Sequence, residues 1–82
     1  MPTFKITIVN EHLNCSNDYE GADEAAACHN AISGALAIAT DEVMKGEPFF
    51  GAEVRVDRGE NPVARFIVAI GMSPLKLTAA TK

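Results

Sequence analysis

No run of apolar residues in this 82-residue chain reaches the roughly 18 that a membrane-crossing helix needs. The opening MPTFKITIVN has neither the long apolar region nor the small-residue cleavage site of a signal peptide, which predicts a cytoplasmic protein with both cysteines reduced. Basic clusters are missing too. The seven Lys and Arg are scattered through a chain of net charge −4, so no patch tracks a phosphate backbone and nucleic acid is not the expected partner. There is no G-x-G-x-x-G, no P-loop and no Ca²⁺-loop spacing, nor any internal repeat, linker or low-complexity segment. The most informative absence is local. From Ala25 through Thr40 there is no Asp, Glu, Lys or Arg.

That uncharged stretch lies inside the segment that organises the chain, Asp23 to Lys45. Asp23 is a good N-cap and Glu24 suits the positive end of a helix dipole. Alanine dominates the interior. Lys45, Gly46 and Pro48 form a stop signal. At 100° per residue, Ala25, Cys28, Ile32, Ala35, Leu36, Ala39 and Val43 share one face, the expected core stripe. Ala27, Ala31, Gly34 and Ile38 line up nearly opposite. Two readings of this second stripe stand. It is either a surface that another protein covers, or a solvated alanine-rich face.

Before the helix, Phe4, Ile6 and Ile8 alternate with Lys5 and Thr7, the pattern of a half-buried strand. Glu11 to Asp18 is ambiguous: Leu13 and Cys15 fit a short strand ahead of an Asn- and Asp-rich turn. After the helix, Ala52, Val54 and Val56 alternate with Glu53, Arg55 and Asp57. A turn at Arg58 to Asn61 leads into Val63 to Ile70, which is apolar on both faces: a central strand, or a sheet whose open face is partly covered. The expected fold is α+β: one long helix on a three- or four-stranded antiparallel sheet, in the order β(β)αββ. One domain spans residues 1–75, and 76–82 read as a disordered tail. A helix of roughly 35 Å on strands of roughly 26 Å is expected to overhang its sheet.

This order of elements resembles a family of short alphaproteobacterial proteins of unknown function. The resemblance rests on the Met-Pro-x-Phe strand, the Asp-led alanine-rich helix ending near Lys45-Gly46, and the alternating hairpin from Phe49 to Ile70. More distantly the strand opening and Asp-Glu-Ala helix are similar to HicB-type antitoxins. The resemblance implies no catalytic residues.

The residues with chemistry give little. His12-x-x-Cys15 has a workable zinc spacing, but Cys28 and His29 are helix neighbours about 100° apart and do not converge on one ion. No orienting residue completes a nucleophile–base pair around Cys15 and His12. Asp18, Glu20, Asp23 and Glu24 read as a solvated turn that caps the helix. Phe49 and Phe50 could dock a partner, with burial the default. Cys28 is expected to be a slow, buried thiol. The sequence therefore points to a non-enzymatic protein with no cofactor and no metal: a small acidic interaction module, probed first as a homodimer. The expected surface is Ala27, Ala31, Gly34 and Ile38 on the helix with Val63, Ile67 and Ala69 on the last strand. The alternative is an inhibitor or antitoxin-like protein that neutralises a basic partner.

Overall fold

The helix caps act as the sequence dictates. In the computed structural model, which describes residues 1–73, the helix α1 runs Glu24–Met44. The Asp23 carboxylate accepts a hydrogen bond from the Ala26 backbone N–H at 2.8 Å, satisfying one of the donors that a helix start leaves free. Lys45 closes the last turn, and Gly46 takes φ 108°, a left-handed value that a side chain would strain. Lys45 also reaches Asp41 at 3.1 Å and Glu42 at 3.6 Å.

Four strands accompany it: β1 Thr3–Val9, β2 Asn14–Glu20, β3 Phe49–Arg58 and β4 Asn61–Gly71. They form one antiparallel sheet in the order β2-β1-β3-β4. The chain is therefore α+β in the order ββαββ. Strand β2 is longer than the expected Leu13–Cys15 segment and includes Asn17 and Asp18, which sequence reasoning placed in a turn. The turn lies earlier, at residues 10–13. There the Asn10 N–H and Leu13 carbonyl bond at 2.8 Å, and the Asn10 side chain accepts from the His12 N–H at 2.8 Å. Pairing with β1 along its whole length overrides the poor strand propensity of Asn and Asp. At the other hairpin, Gly59 takes φ 60°, the value that a first-position glycine adopts in a type II′ turn.

The core lies between α1 and one face of the sheet. The sheet supplies the bulk: Phe4, Ile6, Ile8, Phe50, Val54 and Val56, each at most 5% exposed. The helix supplies a row of alanines, Ala27, Ala31, Ala35 and Ala39, at 0–1% exposure. This corrects the helix orientation. Of the expected core stripe, Ala35 and Ala39 are buried, Cys28, Ile32 and Val43 are half-buried, and Ala25 and Leu36 are exposed. The buried face is turned by about 75° from the expected one. The physical reason is close approach. A four-residue row forms one ridge along the helix, and when that ridge is all methyl groups the helix axis can settle low on a bulky sheet. Larger side chains then flank the contact line.

The expected helix overhang is also corrected. Strands β3 and β4 have 10 and 11 residues, or roughly 33–37 Å, which matches a 21-residue helix of roughly 32 Å. The long β3–β4 hairpin instead overhangs β1, which pairs with β3 only across Glu53–Asp57. Strand β4 is an edge strand, not a central one. The tail expected from residue 76 lies outside the described residues.

The alanine row gives a direct test. Ala31→Leu should lower stability by about 1–3 kcal/mol through overpacking, measured by urea unfolding. Ala37→Leu on the exposed side should stay within about 0.5 kcal/mol of wild type.

Candidate interaction surface

The structure separates the residues that the sequence grouped. Ala27 and Ala31 are 0% and 1% exposed beneath the helix, so neither belongs to an outer surface. Gly34 is exposed, and a Cβ there would meet nothing within 4 Å. Ile38 is half-buried at the edge of the core. Val63 is half-buried in β4, whereas Ile67 is 75% exposed and Ala69 is exposed on the sheet face that α1 leaves open. No single patch contains the helix set and the strand set together.

What the sequence grouping missed is the apolar surface around β4. On the helix side, Phe66, Val68 and Ile70 stand opposite Val54, Ala52 and Phe50. Their β3 partners are buried, yet these three are only half-buried. On the open side, Ile67 is joined by Phe49, 64% exposed. Phe49 and Phe50 point to opposite faces, so only Phe50 enters the core. That outcome was legible: Phe50 shares its parity with Ala52, Val54 and Val56.

The backbone of β4 can be assigned side by side. The Met72 N–H donates to the Pro48 carbonyl at 2.7 Å, which extends the β3–β4 register by one hydrogen-bonded pair. Such pairs alternate in an antiparallel ladder. Residues 66, 68 and 70 therefore bond to β3, and the N–H and C=O groups of Arg65, Ile67, Ala69 and Gly71 point outward. The same alternation turns the Gly51 carbonyl away from β4, and there the Asn10 side chain donates to it at 3.0 Å.

The rest of the open face is polar. Arg55 and Arg65 stand opposite each other across β3 and β4, but each holds its own acid. Arg55 donates to Glu53 twice, at 3.0 and 3.2 Å, and Arg65 donates to Asp57 at 3.2 Å. The hydrogen bonds from Arg55, more than its charge, hold the Glu53 carboxyl below the ordinary carboxylate value, against an opposing desolvation.

A second feature is a groove of about 770 Å³ where β3 overhangs β1. Leu13, Ile38 and Phe50 supply apolar wall, and Glu11, Glu42 and Glu47 stand around it. His12 lies at its rim, its side chain 85% exposed and 3.5 Å from Glu11. Cys15 and Cys28 are both free and both half-buried, so Cys28 is more accessible than its expected core position implied. Among the described residues, no three His, Cys, Asp or Glu side chains gather as a metal site would require, and no helix is long and apolar enough to cross a membrane. No family model, curated protein or solved structure matches this chain.

Glu53 provides a titration test. Its NMR midpoint should fall below the usual carboxylate range, and Arg55→Gln should raise it. Because the folded value is lowered, the stability from this pair is present above the ordinary carboxylate pKa and is lost as pH falls through the lowered midpoint.

Proposed function

We propose that this chain is a non-enzymatic cytoplasmic interaction module that works by self-association. One observation carries this reading: the apolar surface of β4 is left uncovered on both faces of the sheet, with Ile67 75% exposed and Phe66, Val68 and Ile70 half-buried. Large apolar side chains exposed singly are ordinary, but a contiguous apolar band on a small acidic protein marks a surface that another protein covers. A two-fold homodimer is the commonest way to cover it.

The groove favours a second reading, an inhibitor or antitoxin-like protein that binds a basic partner. Three carboxylates around an apolar wall suit a Lys- or Arg-bearing segment. Glu42 is partly neutralised by Lys45 at 3.6 Å, which weakens that attraction.

Sedimentation equilibrium at micromolar concentration separates the two. Self-association predicts a reversible monomer–dimer equilibrium with no added partner. The basic-partner reading predicts a monomer that binds a Lys/Arg-rich peptide, with Glu47→Lys lowering the affinity and high salt weakening it.

A further inference from the structure

The two edges of the sheet differ. One edge, β2, has seven residues and includes Asp18 and Glu20, carboxylates that repel a second acidic copy. The other edge, β4, has eleven residues and one charge, Arg65, which Asp57 already holds at 3.2 Å. All 11 acidic residues of the chain precede position 61. In a protein of net charge −4, β4 is thus a place where a second copy can approach without bringing carboxylates together. Natural sheets protect their edges with charge, shortness or proline. Here β2 carries such protection, and β4 has only Pro62 near its start.

Resting on the self-association reading, we propose that two copies pair β4 against β4 about a two-fold axis centred on Ile67, doubling the four-stranded sheet into one continuous sheet. The geometry specifies this register. The outward backbone groups of Arg65, Ile67 and Ala69 meet their counterparts in about six cross-copy hydrogen bonds. Ile67 pairs with itself, Phe66 with Val68, and Arg65 with Ala69, so the two Arg65 side chains stay apart. Pro62, which has no N–H to donate, falls just outside the paired segment.

The helix position fits the same axis. α1 touches β3 most, then β4, then β1, and β2 least, so it is displaced toward the proposed seam. Ile38 and Glu42 line the groove with Leu13 of the β1–β2 turn. The opposite flank of the helix, with half-buried Ile32 and 42% exposed Leu36, therefore lies toward β4. A two-fold axis normal to the sheet keeps both helices on one face. The two β3 strands would be three strand spacings apart, roughly 14 Å. Helices displaced inward from those lines approach packing distance, about 8–10 Å, and close over Phe66, Val68 and Ile70 of both copies.

The test uses the full chain. Ile67→Asp places two carboxylates opposite each other at the axis, on a side chain exposed enough to leave the fold intact by circular dichroism. It should raise the dimer dissociation constant at least about tenfold in sedimentation. Ala69→Pro removes an outward N–H and should do the same, whereas Met44→Ser, at an 80% exposed position on the outer side of α1, should leave the dimer unchanged. With Cys15 and Cys28 replaced by Ser, Ile67→Cys should form an intermolecular disulfide under mild oxidation, since paired strands bring the Cα atoms to about 5.5 Å. A wild-type dimer that survives Ile67→Asp and does not cross-link through Ile67→Cys overturns the β4 pairing and leaves self-association standing. A wild-type monomer at every accessible concentration overturns both.

Discussion

The contact of four alanine methyl groups with the sheet sets the rest of the structure. Ala27, Ala31, Ala35 and Ala39 occupy the line where α1 lies closest to β3, and each is at most 1% exposed. Because this row is small, the large side chains must come from the strands. The largest fully buried residues are Phe4, Val54 and Val56, all on the sheet. A helix seated this low packs well against the strands beneath it, but its reach is short. With side chains it is roughly 10–12 Å across, and the outer strands of a four-stranded sheet are roughly 14 Å apart. One helix cannot cover both edges.

That shortfall is unequal at the two edges. On β2 the helix-facing positions are Cys15, Asn17 and Tyr19, and only Cys15 and Tyr19 retain partial burial. An edge that is half polar tolerates water. On β4 the equivalent positions are Ala64, Phe66, Val68 and Ile70, apolar throughout and half-buried throughout. Moving α1 toward β2 would expose β4 further, and moving it toward β4 would uncover Ile6 and Ile8 of β1. The observed position, over β3 and leaning toward β4, balances these demands and leaves the residual apolar area on β4.

Much of this was legible from local chemistry. Asp23 as N-cap, Gly46 and Pro48 as a stop, the alternation through Phe4–Ile8 and Ala52–Val56, and the apolar run Val63–Ile70 placed the helix and three strands. Local signals failed where the answer depended on distant partners. Strand β2 was obscured because Asn17 and Asp18 are turn formers, and only pairing with β1 makes them strand residues. The helix face was misjudged because a stripe drawn through Ile32, Leu36 and Val43 follows side-chain size. The contact line follows closeness, which depends on how bulky the opposing sheet is. Among the surface residues, Ile67 was read correctly as exposed, whereas Ala27 and Ala31 were assigned to the outside of a helix that buries them. Strand β4 shows the same limit. Its two apolar faces were visible in the sequence, but its place at the edge follows from β1 entering between β2 and β3.

The edge position changes what those apolar faces mean. In a central strand, Val63 to Ile70 would be satisfied by neighbours on both sides, and Ile67 would need no further account. At an edge, the same residues border a row of N–H and C=O groups that no strand pairs among the described residues. Water satisfies those groups adequately, so the edge alone does not demand a partner. Apolar side chains beside it gain from leaving water, by about 25 cal/mol per Å². A β-strand is the partner that satisfies both at once, because it bonds the backbone row while burying the side chains on either face. A helix docked on Ile67 and Phe49 would bury the side chains and leave the backbone groups of Ile67 and Ala69 facing a drier environment without partners. The chemistry of β4 therefore favours strand addition over helix docking. The carboxylate-free sequence after position 60 makes an identical strand an acceptable partner in a chain whose remaining surface is acidic.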